Sequence, residues 1–132
     1  MPTFLYIEDD AVSRQVMKLM LIRRLKHQDV TIWEDSTNFL EKILALPTIP
    51  DVIFVDIHME PVNGFGILEV LRAQPQFKIS KIIALTASVM NEEVDLLRQA
   101  GFDGVIGKPL DGASFPDLLD RILQGEKVWR PT

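Results

Sequence analysis

The stretch F-L-Y-I-E-D-D, residues 4–10, joins a run suited to burial directly to three consecutive acids. Phe4, Leu5, Tyr6 and Ile7 are aromatic or branched and do not alternate with polar residues, the pattern of a strand covered on both faces. Two carboxylates about 4 Å apart repel by roughly 1 kcal/mol in water and about 4 kcal/mol near a protein surface. Glu8, Asp9 and Asp10 therefore either splay into solvent or share something cationic. What else arrives at the same place decides between the two.

Four more short apolar segments follow: VTIW (30–33), VIFV (52–55), KIIAL (81–85) and GVI (104–106). Helical spacing fills the stretches between them and after the last, over 11–26, 37–46, 65–73, 90–100 and 114–124. Ser36 is placed to cap the second helix, Pro47 and Pro50 bound the loop behind it, and Gly101 suits a left-handed cap on the fourth. Strict alternation of strand and helix predicts an α/β domain with a parallel sheet, right-handed crossovers and helices on both faces. Five strands are too few for a closed eight-stranded barrel, so the expected fold is a flavodoxin-like (βα)5 open sheet of order 2-1-3-4-5. In that order the switch point lies between strands 1 and 3, and ligands bind outside the carboxyl ends of the strands.

Composition agrees. The 132 residues are 47% hydrophobic and 25% charged, the balance of one ordinary globular domain. No apolar stretch approaches the roughly 20 residues that span a bilayer, and the start lacks the features of a signal peptide. Zero cysteines exclude disulfides and thiolate chemistry and fit a cytoplasmic setting. A net charge of −5 argues against a nucleic-acid surface, and the basic cluster I-R-R-L-K-H (22–27) reads as the solvated end of a helix.

Strand 1 runs into Glu8-Asp9, strand 3 into Asp56, strand 4 into Thr86, and strand 5 into Lys108-Pro109. Any one of these is ordinary, since an Asp after a strand is usually a cap or a turn former. Together they bring three carboxylates, a hydroxyl and an ammonium to one crevice. Mg2+ takes oxygen ligands, keeps several waters, and is typically held by one or two carboxylates plus a phosphate. Lys108 can pair with one phosphoryl oxygen and Thr86 can donate to another. A carboxylate can itself be the nucleophile and form an aspartyl phosphate. A divalent cation among Glu8, Asp9 and Asp56 would relieve the repulsion. Asp10 is expected at the mouth of the site or near the start of the first helix.

These residues resemble the receiver domain of two-component response regulators, of the chemotaxis-regulator (CheY-like) fold, over about 3–123. The acidic pair appears as Glu8-Asp9 and the phosphoacceptor block as D-I-H-M-E-P-V-N-G, with Asp56, Met59, Asn63 and Gly64 in register. The Thr-Ala pair is Thr86-Ala87 and the Lys-Pro pair is Lys108-Pro109. The resemblance implies a phosphoprotein: Asp56 as acceptor, Thr86, Ala87, Lys108 and Pro109 as switch residues, and a cis bond before Pro109. It implies Mg2+ (or Mn2+) held by Glu8, Asp9, Asp56 and the backbone carbonyl of His58. It implies, too, a histidine kinase or histidine phosphotransfer protein as donor, and a protein target read through the face of helix 4, strand 5 and helix 5. A phosphorylation-dependent dimer is compatible with it; nucleic-acid binding and membrane insertion are not expected.

Two departures stand out. Glu60 replaces the usual proline, with Pro61 one place later, and Val105 stands where many receivers carry an aromatic. Valine is stiff about its single χ angle, so the signal is expected to pass through the backbone of 86–91 instead of a side-chain swap. An Asp-nucleophile phosphatase of the haloacid-dehalogenase type would need an acid where His58 stands. A flavin carrier would need a glycine-rich turn where A-V-S-R (11–14) stands, and a degenerate docking scaffold would not need the complete residue set. Leu19 and Ile22 are candidates for an exposed surface that docks a phosphotransfer bundle. The domain is placed at 1–124, with 125–132 a C-terminal tail, and a stand-alone module is expected over a fragment of a larger regulator.

Overall fold

The computed structural model describes residues 2–129. Six strands form one parallel sheet: β1 (Phe4–Ile7), β2 (Val30–Trp33), β3 (Val52–Asp56), β4 (Lys81–Thr86), β5 (Gly104–Gly107) and β6 (Val128–Trp129). Their order is β2-β1-β3-β4-β5-β6, all parallel. The expected 2-1-3-4-5 is present, and the sixth strand is an addition at the β5 edge. The segment expected to be a tail thus returns to the sheet at Val128 and Trp129; its residues 130–132 lie outside the described part, as does Met1.

The helices are α1 (Ala11–Lys18), α2 (Phe39–Leu44), α3 (Gly64–Arg72), α4 (Asn91–Ala100) and α5 (Phe115–Leu123). Central strands bury both faces, which explains why their sequences do not alternate. On one face, Phe39, Ile67, Leu71, Val94 and Leu97 of α2, α3 and α4 pack on Leu5, Ile7, Val55 and Ala84. On the other, Met17, Phe115, Leu119 and Ile122 of α1 and α5 pack on Phe4, Tyr6, Phe54 and Leu85.

Two local outcomes differ from expectation. The first helix continues beyond Lys18 as a wide π-type turn over Leu19–Arg24, and the chain then turns through Lys26 at φ 63°. The helix therefore stops short of residue 26, and His27 folds back against the Phe4 ring at 4.8 Å. Ser36 does not cap α2, which starts after Asn38 in the left-handed region at φ 53°. Its buried hydroxyl instead donates to the Val62 carbonyl at 2.7 Å and accepts the Val62 N–H at 2.8 Å. An otherwise unpaired backbone segment beside the β3 end claims the hydroxyl more strongly than a helix terminus open to water. Gly101 behaves as read, ending α4 at φ 113°.

Candidate functional site

Glu8 and Asp9 follow β1, Asp56 ends β3, Thr86 ends β4 and Lys108 follows β5, so the sheet brings them to one edge. Glu8 is fully buried and Asp56 is 4% exposed, while Asp9 faces solvent. One carboxylate oxygen from each of Glu8, Asp9 and Asp56 lies within 4.8 Å of the others. The Lys108 ammonium reaches across, with Nζ 2.9 Å from Glu8 Oε1 and 3.2 Å from Asp56 Oδ1. These four of the predicted site residues form one cluster.

Two more groups complete it. The Tyr6 hydroxyl donates to Glu8 Oε1 at 2.6 Å. The Arg14 guanidinium donates to the Glu8 carbonyl at 2.9 Å. Sequence reading missed Tyr6, although Tyr6 and Glu8 are two residues apart on an extended strand and so share a face. Asp10 sits where expected: it caps α1, its Oδ2 accepting from the Ser13 N–H and hydroxyl at 2.9 and 2.7 Å.

Burial, a hydrogen bond shared with Glu8 and the charge of Glu8 push the Asp56 carboxyl up to about 7, with Lys108 pulling against them. Burial also opposes ionisation of Glu8, but the bonds it shares with Asp56, Tyr6 and Lys108 outweigh that and hold it below the usual carboxylate range. For Lys108, burial favours loss of the proton, yet Glu8 and Asp56 prevail and raise its pKa. Burial, and then Glu8, push the Tyr6 hydroxyl far up, so it stays a donor. Without a metal, the buried part of the cluster holds Glu8 ionised, Asp56 titrating near neutrality and the Lys108 ammonium between them. A divalent cation would replace that shared proton.

The block after β3 has a physical reason for its composition. Asn63 caps α3, its Oδ1 accepting the Gly66 N–H at 3.0 Å. A Cβ on Gly64 would lie 2.8 Å from the Ile57 Cα, so only glycine lets α3 begin against the end of β3. Met59 is buried, and the loop contains a cis Glu60–Pro61 bond beside the expected cis Lys108–Pro109.

Thr86 is buried but stands apart from the acidic cluster in its bonding. Its Oγ1 accepts the Ser88 N–H at 3.1 Å and donates to Glu93 Oε1 at 3.4 Å. The same Glu93 oxygen lies 3.7 Å from Nε2 of His58, whose ring is 71% exposed. Glu93 was one acid of an ordinary helix-opening pair in the sequence, with nothing to mark its reach. Ala87 and Pro109 are exposed, and Val105 is fully buried between its strand partners Ala84 and Trp129. Leu19 and Ile22 are 52% and 41% exposed, and Val12 of α1 is exposed as well. No helix among the described residues is long and apolar enough to cross a membrane.

Comparisons with known proteins agree with this architecture. The family model for the response regulator receiver domain matches residues 4–121. Stress response regulator protein 1 of Meyerozyma guilliermondii is 25% identical over 92% of this chain, which spans 56% of that protein. The similar stress regulators of other yeasts are longer still: the chain spans 34% of the one from Lodderomyces elongisporus. Chemotaxis protein CheY-3 of Vibrio cholerae is 27% identical, with 91% of this chain and 90% of that protein covered. Among solved structures, the chemotaxis response regulator CheY4 of Vibrio cholerae superposes with a TM-score of 0.80 at 25% identity, covering 92% of this chain and 98% of that one. The receiver domain of a sensor histidine kinase from Pseudomonas aeruginosa PAO1, solved with magnesium coordinated in its active site cleft, gives 0.79 at 26% identity, covering 93% and 98%. With the family model covering all five β-α units and the acidic cluster at their carboxyl ends, the chain belongs to the response regulator receiver domain family.

Proposed function

We propose that this receiver domain accepts a phosphoryl group on Asp56 from a phosphohistidine of a histidine kinase or histidine phosphotransfer protein, and signals to a protein target in the cytoplasm. The observation that carries this reading is Lys108 Nζ lying between Glu8 and Asp56 at 2.9 and 3.2 Å, inside a cluster of three oxygen donors. In the transfer, an Asp56 carboxylate oxygen forms the new bond to phosphorus while the bond from phosphorus to the imidazole nitrogen breaks, its electron pair staying on the ring. Lys108 is placed to neutralise one phosphoryl oxygen, and the Thr86 hydroxyl to donate to another. The hard-oxygen set of Glu8, Asp9 and Asp56 suits Mg2+ or Mn2+, with the His58 carbonyl as a further ligand. Bound there, the ion would supply charge neutralisation for the anionic phosphoryl group. The exposed Val12, Leu19 and Ile22 offer an apolar flank for the donor's helical bundle.

Intact-mass measurement with Mg2+ and a small phosphodonor tests the reading. The protein should gain one phosphoryl group that Asp56→Asn does not take up, and modification of the variant at the wild-type rate would exclude Asp56. Output through α4, β5 and α5, with dimerisation on phosphorylation, is the expected consequence; comparing proteins captured by the phosphorylated and unphosphorylated forms tests it.

A further inference from the structure

β6 occupies the outer edge of β5 with a fit built from both sides of the sheet. Gly104 pairs with Val128 and Val105 with Trp129. A Cβ on Gly104 would lie 2.8 Å from the Val128 carbonyl oxygen and 3.1 Å from Ile83 Cδ1, so glycine at 104 admits the strand. Val128 is buried in the core under α1 and α5, and Trp129 packs on the opposite core under α4. The Arg98 guanidinium of α4 then lies over the Trp129 ring, with Cζ 4.7 Å from its centroid. β6 is thus anchored by one side chain on each face and one cation, yet it has only two ladder residues.

α4 has a second attachment at its other end. Glu93, in its first turn, takes the Thr86 hydroxyl and faces the His58 ring. The ten-residue helix is one unbroken rod about 15 Å long. One rod therefore touches Thr86 through Glu93 and holds Trp129 through Arg98.

We propose that Val128–Trp129 is a detachable edge strand whose hold on β5 is set by the state of the Asp56 site, with α4 as the link from Glu93 to Arg98. The trigger rests on the reading of Asp56 as phosphoacceptor; the link does not. The Thr86 hydroxyl has one proton, which it gives to Glu93 here. Given to a phosphoryl oxygen instead, it leaves Glu93 without its bond and beside a new anion that repels it. The first turn of α4 moves away, the rod carries Arg98 off the indole, and the two-residue strand lets go. The backbone groups of Gly104 and Val105 that paired with β6 are then left as an open edge.

The full chain with Trp33→Phe leaves Trp129 as the sole indole, and acrylamide quenching of its emission reads the strand. Gly104→Val, which removes the room for β6, gives the released reference value. Glu93→Ala alone, with no phosphodonor, should raise quenching about twofold towards that reference, as local opening of an edge element does. Glu93→Gln, whose amide oxygen still accepts from Thr86, should restore most of the protection. Arg98→Ala should also release the indole. Mg2+ with beryllofluoride, standing in for the phosphoryl group, should act as Glu93→Ala does. Unchanged quenching in Glu93→Ala or Arg98→Ala overturns the link. Beryllofluoride that shifts the amides of 56–58 but leaves Trp129 protected overturns the trigger. If beryllofluoride does not bind at all, the phosphoacceptor reading fails, while the Glu93→Ala result still decides the link.

Discussion

The two outer strands end the same cross-sheet row, Trp33–Ile7–Val55–Ala84–Val105–Trp129, with a tryptophan at each end. Both indoles pack on the α2-α3-α4 core, and both have a cation over the ring: Lys42 at 5.5 Å on Trp33 and Arg98 at 4.7 Å on Trp129. The edges differ in what stands behind the seal. β2 pairs along four residues, and Trp33 also meets Phe39 edge-on at 5.9 Å. β6 pairs along two, and its cation comes from a helix whose first turn touches Thr86. Similar chemistry makes one edge a fixture of the fold and the other a reporter of the site. That difference lies in the connections, since the aromatic–cation pairs themselves are alike.

The largest effects come from removing each indole. Trp33→Ala should cost about 2–3 kcal/mol of global stability in urea titrations, below the roughly 3–5 kcal/mol of fully buried aromatic truncations because the ring is half-buried. Trp129→Ala should cost less, about 1–2 kcal/mol, because a two-residue strand can detach while the remaining sheet persists. Hydrogen exchange should show protection lost at 104–106 in Trp129→Ala and the whole β1–β3 region affected in Trp33→Ala. Equal global losses would make the two edges equivalent.

The charge state of the site gives the next effect. The Asp56 carboxyl is raised in the folded, metal-free protein to about 7 from an ordinary 3.8, so between those values the folded state binds more protons than the unfolded one. Stability must then fall as pH rises through that window, a loss complete above about 7. Glu8, held low, acts in the opposite sense and loses its contribution only as pH falls through its depressed value. Asp56→Asn should remove the first slope and stabilise the metal-free protein at pH 8 by about 1–2 kcal/mol, as relief of buried like-charge repulsion does. Divalent ions should stabilise wild type more than the variant. A flat wild-type profile between pH 4.5 and 7 in chelator, under roughly half a kcal/mol of change, would contradict this.

The β2 edge was legible in the sequence and the β6 edge was not, for a physical reason. V-T-I-W carries its own β-branched and aromatic signal over four residues, whereas V-W in G-E-K-V-W-R-P-T is too short for any period to register. What makes V-W a strand is a vacancy made elsewhere, by the absent Cβ of Gly104. The acidic cluster and Lys108 were legible because each directly ends or follows a strand, and strand order alone brings such positions together. Glu93 and Tyr6 were missed, and Ser36 was read as a helix cap, because their partners Thr86, Glu8 and Val62 are fixed by side-chain reach and loop path. Of these, only Tyr6 left a trace, through its two-residue spacing from Glu8.

The cations themselves give the smallest effect. An exposed cation–π contact is worth about 0.5–1 kcal/mol, and an arginine plane 4.7 Å from the centroid is placed better than an ammonium at 5.5 Å. Arg98→Ala should therefore cost about 0.5–1 kcal/mol and Lys42→Ala less than about 0.5 kcal/mol. The decisive quantity is the coupling. In a double-mutant cycle, Arg98→Ala with Glu93→Ala should be non-additive, because Glu93 and Arg98 hold two ends of one helix against Thr86 and Trp129. Lys42→Ala with Glu93→Ala should be additive within about 0.3 kcal/mol, since Lys42 belongs to α2 and lies over Trp33 at the opposite edge of the sheet. Quenching of each indole in the three single and two double variants supplies the cycles. If the Lys42 cycle shows as much coupling as the Arg98 cycle, Glu93 acts on the fold as a whole, and the β6 edge has no privileged connection to the site.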